Sequence, residues 1–317
     1  MDSILILLVG LVGLSVGTEL IVRGAIDLAD RYRLNDAFIG LGILSIGTDL
    51  PELAIALDAS LFRTDDGQGA GIALGSAVGS SIGQISLVLG AVGLLGGFTM
   101  ARKALYLYGA ALCGAVFFLF AAAVNGTVSR IEGTLLILLY ISFFIVLIRN
   151  RHSPDIARSP NLPKPTQKTW FLLIFGFILL LGNAELTVKA ALALVDKFGV
   201  NETTVSVVIL GLGSSLPELS LSGWALLRKK VGLSLGNLMG SNILDTLLVP
   251  GLAAMITPLA VASDTLWIDL PVLLAFTLLV LFFLRFHPLG LRRKEAIFLM
   301  VGYGLYVVIR FGEAVMI

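Results

Sequence analysis

The sequence predicts an all-α integral membrane protein: ten transmembrane helices in two inverted five-helix repeats, with helices two and seven broken. Three observations carry this. The 317 residues are 57% apolar and only 14% charged, with a mean hydropathy of +0.98, where soluble domains carry about a quarter charged residues. The apolar residues fall into stretches that can cross a bilayer, which takes about 20 residues of helix. The second half of the chain also repeats motifs of the first at a fixed spacing. This composition excludes an ordinary soluble enzyme and a disordered chain. A net charge of +1 offers no basic excess to a nucleic-acid partner. Cys113 is the sole cysteine and forms no intrachain disulfide, and His152 and His287 sit in polar loops, so a histidine-rich metal site is excluded.

Ten spans are expected at 3–23, 36–61, 69–96, 103–126, 131–149, 169–193, 201–226, 231–257, 265–285 and 293–313. The third is the clearest, since no charged residue occurs from Gly67 to Ala101. Asp49, Glu52, Glu218 and Asp245 interrupt spans two, seven and eight. The start carries Asp2 and no basic region, so it reads as a retained helix rather than a cleaved signal. Residues 150–168 hold Pro154, Pro160, Pro163 and Pro165 and read as an extended linker between repeats 1–149 and 169–317. With ten spans, sixteen basic residues fall in loops on one side and only Arg63, Arg130 and Lys197 on the other. The excess marks the cytoplasmic side, which puts the linker in the cytoplasm and both termini outside a cell (inner) membrane.

The repeat is specific. Gly47-Thr48-Asp49-Leu50-Pro51-Glu52-Leu53 returns 166 residues later as Gly213-Ser214-Ser215-Leu216-Pro217-Glu218-Leu219. Glu19 and Arg23 answer Glu185 and Lys189 at the same offset, both pairs reading as helix-surface ion pairs. After a five-residue length difference, Gly71, Gly75, Gly79, Ser80 and Ser81 answer Gly232, Gly236, Gly240, Ser241 and Asn242. These motifs lie within 36–96 and 201–257. Five spans per half is an odd number, so the halves enter the membrane from opposite sides. Inverted repeats with broken helices characterise secondary transporters, whose site lies at the midplane.

The chemistry concentrates at the breaks. Pro51 and Pro217 cannot donate to the carbonyls of Gly47 and Gly213, and each break carries a carboxylate, Glu52 or Glu218. A freed carbonyl in lipid is costly unless something occupies it. A hard cation would, since it takes carboxylate, carbonyl and hydroxyl oxygens together. The glycine stripes on spans three and eight read as packing devices. Beside them run Ser76, Ser80 and Gln84 on span three and Asn237, Ser241 and Asp245 on span eight. An isolated serine such as Ser76 ordinarily bonds its own helix backbone, whereas a carboxylate in mid-span, Asp245, is functional by default. Asp49, Glu52, Glu218 and Asp245 would then meet in low dielectric, where like charges oppose one another's ionisation and cations or protons must compensate them. A site that must stay compensated crosses the membrane loaded, so one ion is exchanged for another.

At these motifs the sequence resembles the calcium/cation antiporter superfamily, specifically the prokaryotic sodium/calcium exchangers. The resemblance implies that spans two, three, seven and eight enclose one divalent-ion site flanked by sodium sites, and that sodium entry drives calcium extrusion as spans one and six slide. It implies Glu52 and Glu218 as central calcium ligands, with Thr48, Ser214, Ser215, Ser80 and Ser241 adding oxygens and Asp245 as the acidic position of the second half. Three positions depart from the family: Asp49 stands where serine is usual, Gln84 where a shorter Asn or an Asp is usual, and Ser81 where Asn242 keeps the asparagine. The expected metal site is therefore Glu52, Glu218, Asp245, Asp49, Thr48, Gly47, Gly213, Ser214, Ser215, Ser80, Gln84 and Ser241. No cofactor is expected beyond the transported Ca2+ and Na+, or H+ or another cation in their place. The expected partners are those cations and the lipid bilayer. A proton-coupled or otherwise re-tuned divalent-cation antiporter on the same fold stays open, motivated by Asp49. An intramembrane carboxylate enzyme is disfavoured because the acids come in symmetric copies with no histidine or cysteine beside them. A passive channel is disfavoured because nothing resembles a filter loop.

Overall fold

The structure, a computed structural model, describes residues 3–32, 39–62, 68–96, 102–149, 167–198, 202–227, 231–286 and 291–316. The expected linker up to residue 166, the loop residues Arg63, Asp65, Asp66, Arg228, Lys229 and Lys230, and both histidines lie outside the described residues. Among the described residues nine helices are long and apolar enough to cross a membrane. The remaining one, span two at 39–62, is interrupted at Asp49, with a 13-residue half-helix Leu50–Phe62 following the break. Lipid leaves no alternative to helix for such segments, because every backbone polar group must be satisfied inside the segment.

Spans one and six are longer than their apolar runs suggest. They extend over Ser3–Tyr32 and Gln167–Phe198, against the expected 3–23 and 169–193. A charged residue ends a hydrophobic run without ending a helix, and neither extension contains a proline that would stop one. At 30 residues the first spans about 45 Å, well beyond a hydrocarbon core of about 30 Å. The two helices lie against each other along most of their length through small residues. A Cβ on Gly17 would stand 2.8 Å from Leu180 N, and one on Gly176 would stand 2.8 Å from Gly17 O. Glu19 and Arg23 pair on the exposed surface as expected, and the Glu185 side chain lies outside the described residues.

Contacts between loops test the number of crossings. Thr127–Val128, after span four, pairs antiparallel with Leu259–Ala260, after span eight. The Thr257 hydroxyl bonds Ser60 O at the end of span two, and Arg310 near the end of span ten reaches Asp264 before span nine. Each contact joins segments separated by an even number of spans, as a ten-span chain requires. Span five starts with a reciprocal cap: Ser129 N donates to Glu132 Oε2 and Glu132 N to Ser129 Oγ.

The repeats interlock. Span three packs on the first half of span seven, and span eight on the first half of span two. A Cβ on Gly79 would lie 2.0 Å from Val207 O, and one on Gly240 would lie 2.7 Å from Leu41 O. The receiving segments, Ile39–Leu44 and Val205–Leu210, are both π-helical and sit 166 residues apart, so the repeat extends to a backbone feature that hydrophobic patterning does not signal. Widened turns of this kind recur at functional sites. Gly79→Ala is expected to fail to assemble or to lose stability by at least about 1–3 kcal/mol, whereas Gly232→Ala, whose Cβ meets nothing within 4 Å, is expected to be neutral. Thermal unfolding of the two variants in detergent, compared side by side, checks this.

Candidate cation site

The two breaks face each other across the interlocked halves. Asp49 (φ −84°, ψ 4°) and Ser215 (φ −79°, ψ 4°) occupy equivalent bridge-region turns, and the half-helices starting at Leu50 and Leu216 carry Glu52 and Glu218 in their first turns. Proline explains the position of each break. Helical bonds resume with Leu53 N on Asp49 O at 3.0 Å and Leu219 N on Ser215 O at 3.2 Å, leaving Pro51 and Pro217 without a donor in between. The second break is tighter, because Ser215 N–H turns onto Gly213 O.

Asp49, Glu52 and Glu218 are fully buried, and each places a carboxylate oxygen within 4.8 Å of those of the other two. Asp245, also fully buried, enters from span eight and accepts from Gln84 Nε2 at 3.2 Å. The structure thus brings together the four acids singled out in the sequence. Ser80 joins the two breaks. Its hydroxyl donates to Glu52 Oε1 at 2.6 Å and lies 2.7 Å from Ser215 Oγ. Thr48 and Ser214 direct their protons to backbone carbonyls one turn back, Leu44 O at 3.0 Å and Leu210 O at 2.8 Å. This leaves lone pairs on both hydroxyls. Thr48 approaches Glu218 and Ser214 approaches Glu52, so each half serves the other half's glutamate. Ser241, the mate of Ser80, approaches Asp49, the mate of Ser215. Gly47 and Gly213 line the turns through their backbone alone. Ser76 bonds Ala73 O at 3.3 Å, the local backbone partner expected of it.

Three polar residues beyond the expected set, Asn237, Ser222 and Asn242, support these. Asn237 donates to Ser222 Oγ at 3.2 Å, and Asn242 donates to Gln84 Oε1 at 3.1 Å. The signal for Ser222 was its place four residues after Glu218, one turn along the same face. A separate network went unnoticed in the sequence. Arg310 in span ten is fully buried and contacts Asp264 and Asp269, each at 3.1 Å, while Tyr306 donates to Asp269 at 2.7 Å.

Both oxygens of Asp49 and of Glu218, one of Glu52 and one of Asp245 are buried without a hydrogen-bond donor. Two ionised carboxylates no more than 4.8 Å apart repel by at least about 3 kcal/mol at an effective dielectric near 20. Such an arrangement stands only when positive charge is supplied, and the donors at hand are neutral hydroxyls and amides. The set is all oxygen: carboxylate, hydroxyl, amide and backbone carbonyl. That suits a hard cation of the alkali or alkaline-earth kind rather than a soft metal.

This fold and this buried acid cluster define a secondary cation antiporter. The chain belongs to the family described as sodium/calcium exchanger protein, whose profile matches residues 2–149 and 168–312. It is 31% identical to CaxA of Alkalimonas amylolytica, a proposed antiporter, over 93% of this chain and 94% of that one. It is 28% identical to the sodium/calcium exchanger MaX1 of Methanosarcina acetivorans over 98% of each. Among solved structures it is similar to the sodium-calcium exchanger NCX_Mj soaked with Na+ and Sr2+, at a TM-score of 0.71 and 27% identity over 96% of this chain and 97% of that one. Ca2+ or Na+ is expected to stabilise the purified protein by about 2.7 kcal/mol at a hundredfold excess over the dissociation constant. Scanning fluorimetry in detergent reads this, with choline at matched ionic strength as the control. An equal response to choline would mean that the cluster does not bind cations.

Proposed function

We propose that the protein exchanges Na+ for Ca2+ by alternating access, with Asp49, Glu52 and Glu218 around the divalent ion. Asp245, Thr48, Ser214, Ser215, Ser80, Ser241, Gln84 and the carbonyls of Gly47 and Gly213 complete the walls of the cation site. The observation that carries this reading is the set of carboxylate oxygens, buried and without donors, drawn from both halves of the chain. Family membership supports the reaction class, and the relatives named for sodium/calcium exchange support the ions. A site of this charge crosses more cheaply loaded than bare, so exchange is obligatory and no cofactor takes part. The long helices of spans one and six, joined through small residues and lying against the broken helices, are suited to sliding as one unit while the site stays fixed in the remaining spans.

The repeats are 1–149 and 169–317, in a cell membrane with both termini outside and the 150–168 linker in the cytoplasm. The distribution of basic residues supports this orientation, and the loop contacts that join segments of equal parity support the number of crossings. A second reading, a proton-coupled or re-tuned divalent-cation antiporter, is favoured by one feature, the additional carboxylate of Asp49 where Ser215 stands in the other half.

In reconstituted vesicles, calcium uptake is expected to follow an imposed sodium gradient, and Glu52→Gln and Glu218→Gln are each expected to abolish it with the protein still monodisperse. Uptake driven by a pH gradient with no sodium present would decide for the second reading. Full uptake by either glutamine variant would remove those residues from the site.

A further inference from the structure

We infer that Gln84 sets the cation load of the site: its amide occupies, as a neutral donor, the place between Ser80 Oγ and Asp245 Oδ2 that a monovalent cation would otherwise fill. The inference rests on the cation-site reading above and says which corner of that site an ion does not use.

The geometry is a chain of forced hydrogen bonds. Gln84 Nε2 donates to Ser80 Oγ at 3.0 Å and to Asp245 Oδ2 at 3.2 Å, which uses both of its N–H groups. Gln84 Oε1 accepts from Asn242 Nδ2 at 3.1 Å, and Asn242 Nδ2 also donates to Leu238 O at 2.9 Å. At one end of this chain the Leu238 carbonyl can only accept, and at the other the Asp245 carboxylate accepts in its ionised form. Every amide between them must therefore point its N–H groups as drawn. Rotating Gln84 by half a turn would set Oε1 against a carboxylate and Nε2 against another amide nitrogen, two repulsive contacts at once. Asn242 thus holds the glutamine in its donor orientation from the far side.

A cation and an N–H donor exclude each other where both would touch the same two oxygens. An amide there covers half of the Asp245 carboxylate, leaving Oδ1 as its one oxygen without a donor. The other five such carboxylate oxygens of the cluster belong to Asp49, Glu52 and Glu218. Gln84 and Asp245 are also repeat mates, 161 residues apart as Gly79 and Gly240 are, so one position supplies the charge and its mate supplies the donor that covers it. Asparagine, one methylene shorter, would withdraw the amide toward its own helix and reopen the corner. With Gln84 in place, cation binding falls to the other five oxygens, two of which the additional carboxylate of Asp49 supplies.

The test is the slope of thermal stability against the logarithm of Na+ concentration, which reports the number of ions bound. Gln84→Ala and the isosteric Gln84→Glu are each expected to steepen the slope by one monovalent ion relative to the parent. Asn242→Ala, which only releases the amide, is expected to steepen it as well, and Asp49→Ser to make it shallower. A purely structural role would lower stability in parallel at every Na+ concentration and leave the slope alone. Parental slopes in both Gln84 variants would overturn the inference. Because Na+ alone is titrated, the slopes still decide it if calcium exchange itself fails.

Discussion

A carboxylate in a bilayer has no water to solvate it, and four of them near one another can persist only with positive charge brought among them. The rest of the architecture follows from that constraint. The halves interlock through Gly79 on Val207 and Gly240 on Leu41, and such close backbone contacts bring Asp49, Glu52 and Glu218 within reach of a common ion with Asp245 beside them. The breaks at Asp49 and Ser215 expose backbone at this depth, which a membrane protein tolerates only where that backbone lines a polar cavity.

The same chain meets the same constraint a second way in spans nine and ten. There Asp269 is also fully buried, but the protein supplies its own cation: Arg310 contacts both Asp269 and Asp264, and Tyr306 adds a donor. A pair of this kind is fixed, since removing one partner leaves the other as an uncompensated buried charge. At the breaks no arginine or lysine is near among the described residues, and the donors are hydroxyls and amides. Charge compensation there must come from outside and can leave again. A carboxylate cluster with a resident arginine is a clamp, whereas one without is a carrier.

Much of this was legible in the sequence because the features that matter are covalent. Proline dictates where a helix loses its donor, so Pro51 and Pro217 located both breaks to within a turn. Asp245 stood out because a carboxylate inside an apolar run is costly anywhere but at a site. What escaped was set by packing or by partners distant in the chain. The extensions of spans one and six past Arg23 and Ala193 follow helix continuity, which hydropathy does not measure. The paired π turns at 39–44 and 205–210 sit where spans eight and three pack on them, contacts between residues distant in the chain. Arg310 lay near the end of span ten, where a basic residue ordinarily marks the membrane surface, and only the fold puts Asp264 and Asp269 beside it.

Duplication alone would yield a symmetric site, with Glu52 and Glu218 as the matched pair, yet an exchanger must favour different ions at different positions. The departures from symmetry divide this work evenly. The first half adds Asp49 opposite Ser215, and the second adds Asp245 opposite Gln84, so each half brings two carboxylates. The two additions nevertheless meet different surroundings. Asp49 has both oxygens without a donor, whereas Asp245 gives one of its oxygens to the glutamine that is its own repeat mate. The charge is thus symmetric between the halves while the accessible oxygen is not. A cation entering the cluster meets two donor-free oxygens on Asp49 and one on Asp245, a difference generated by a single amide.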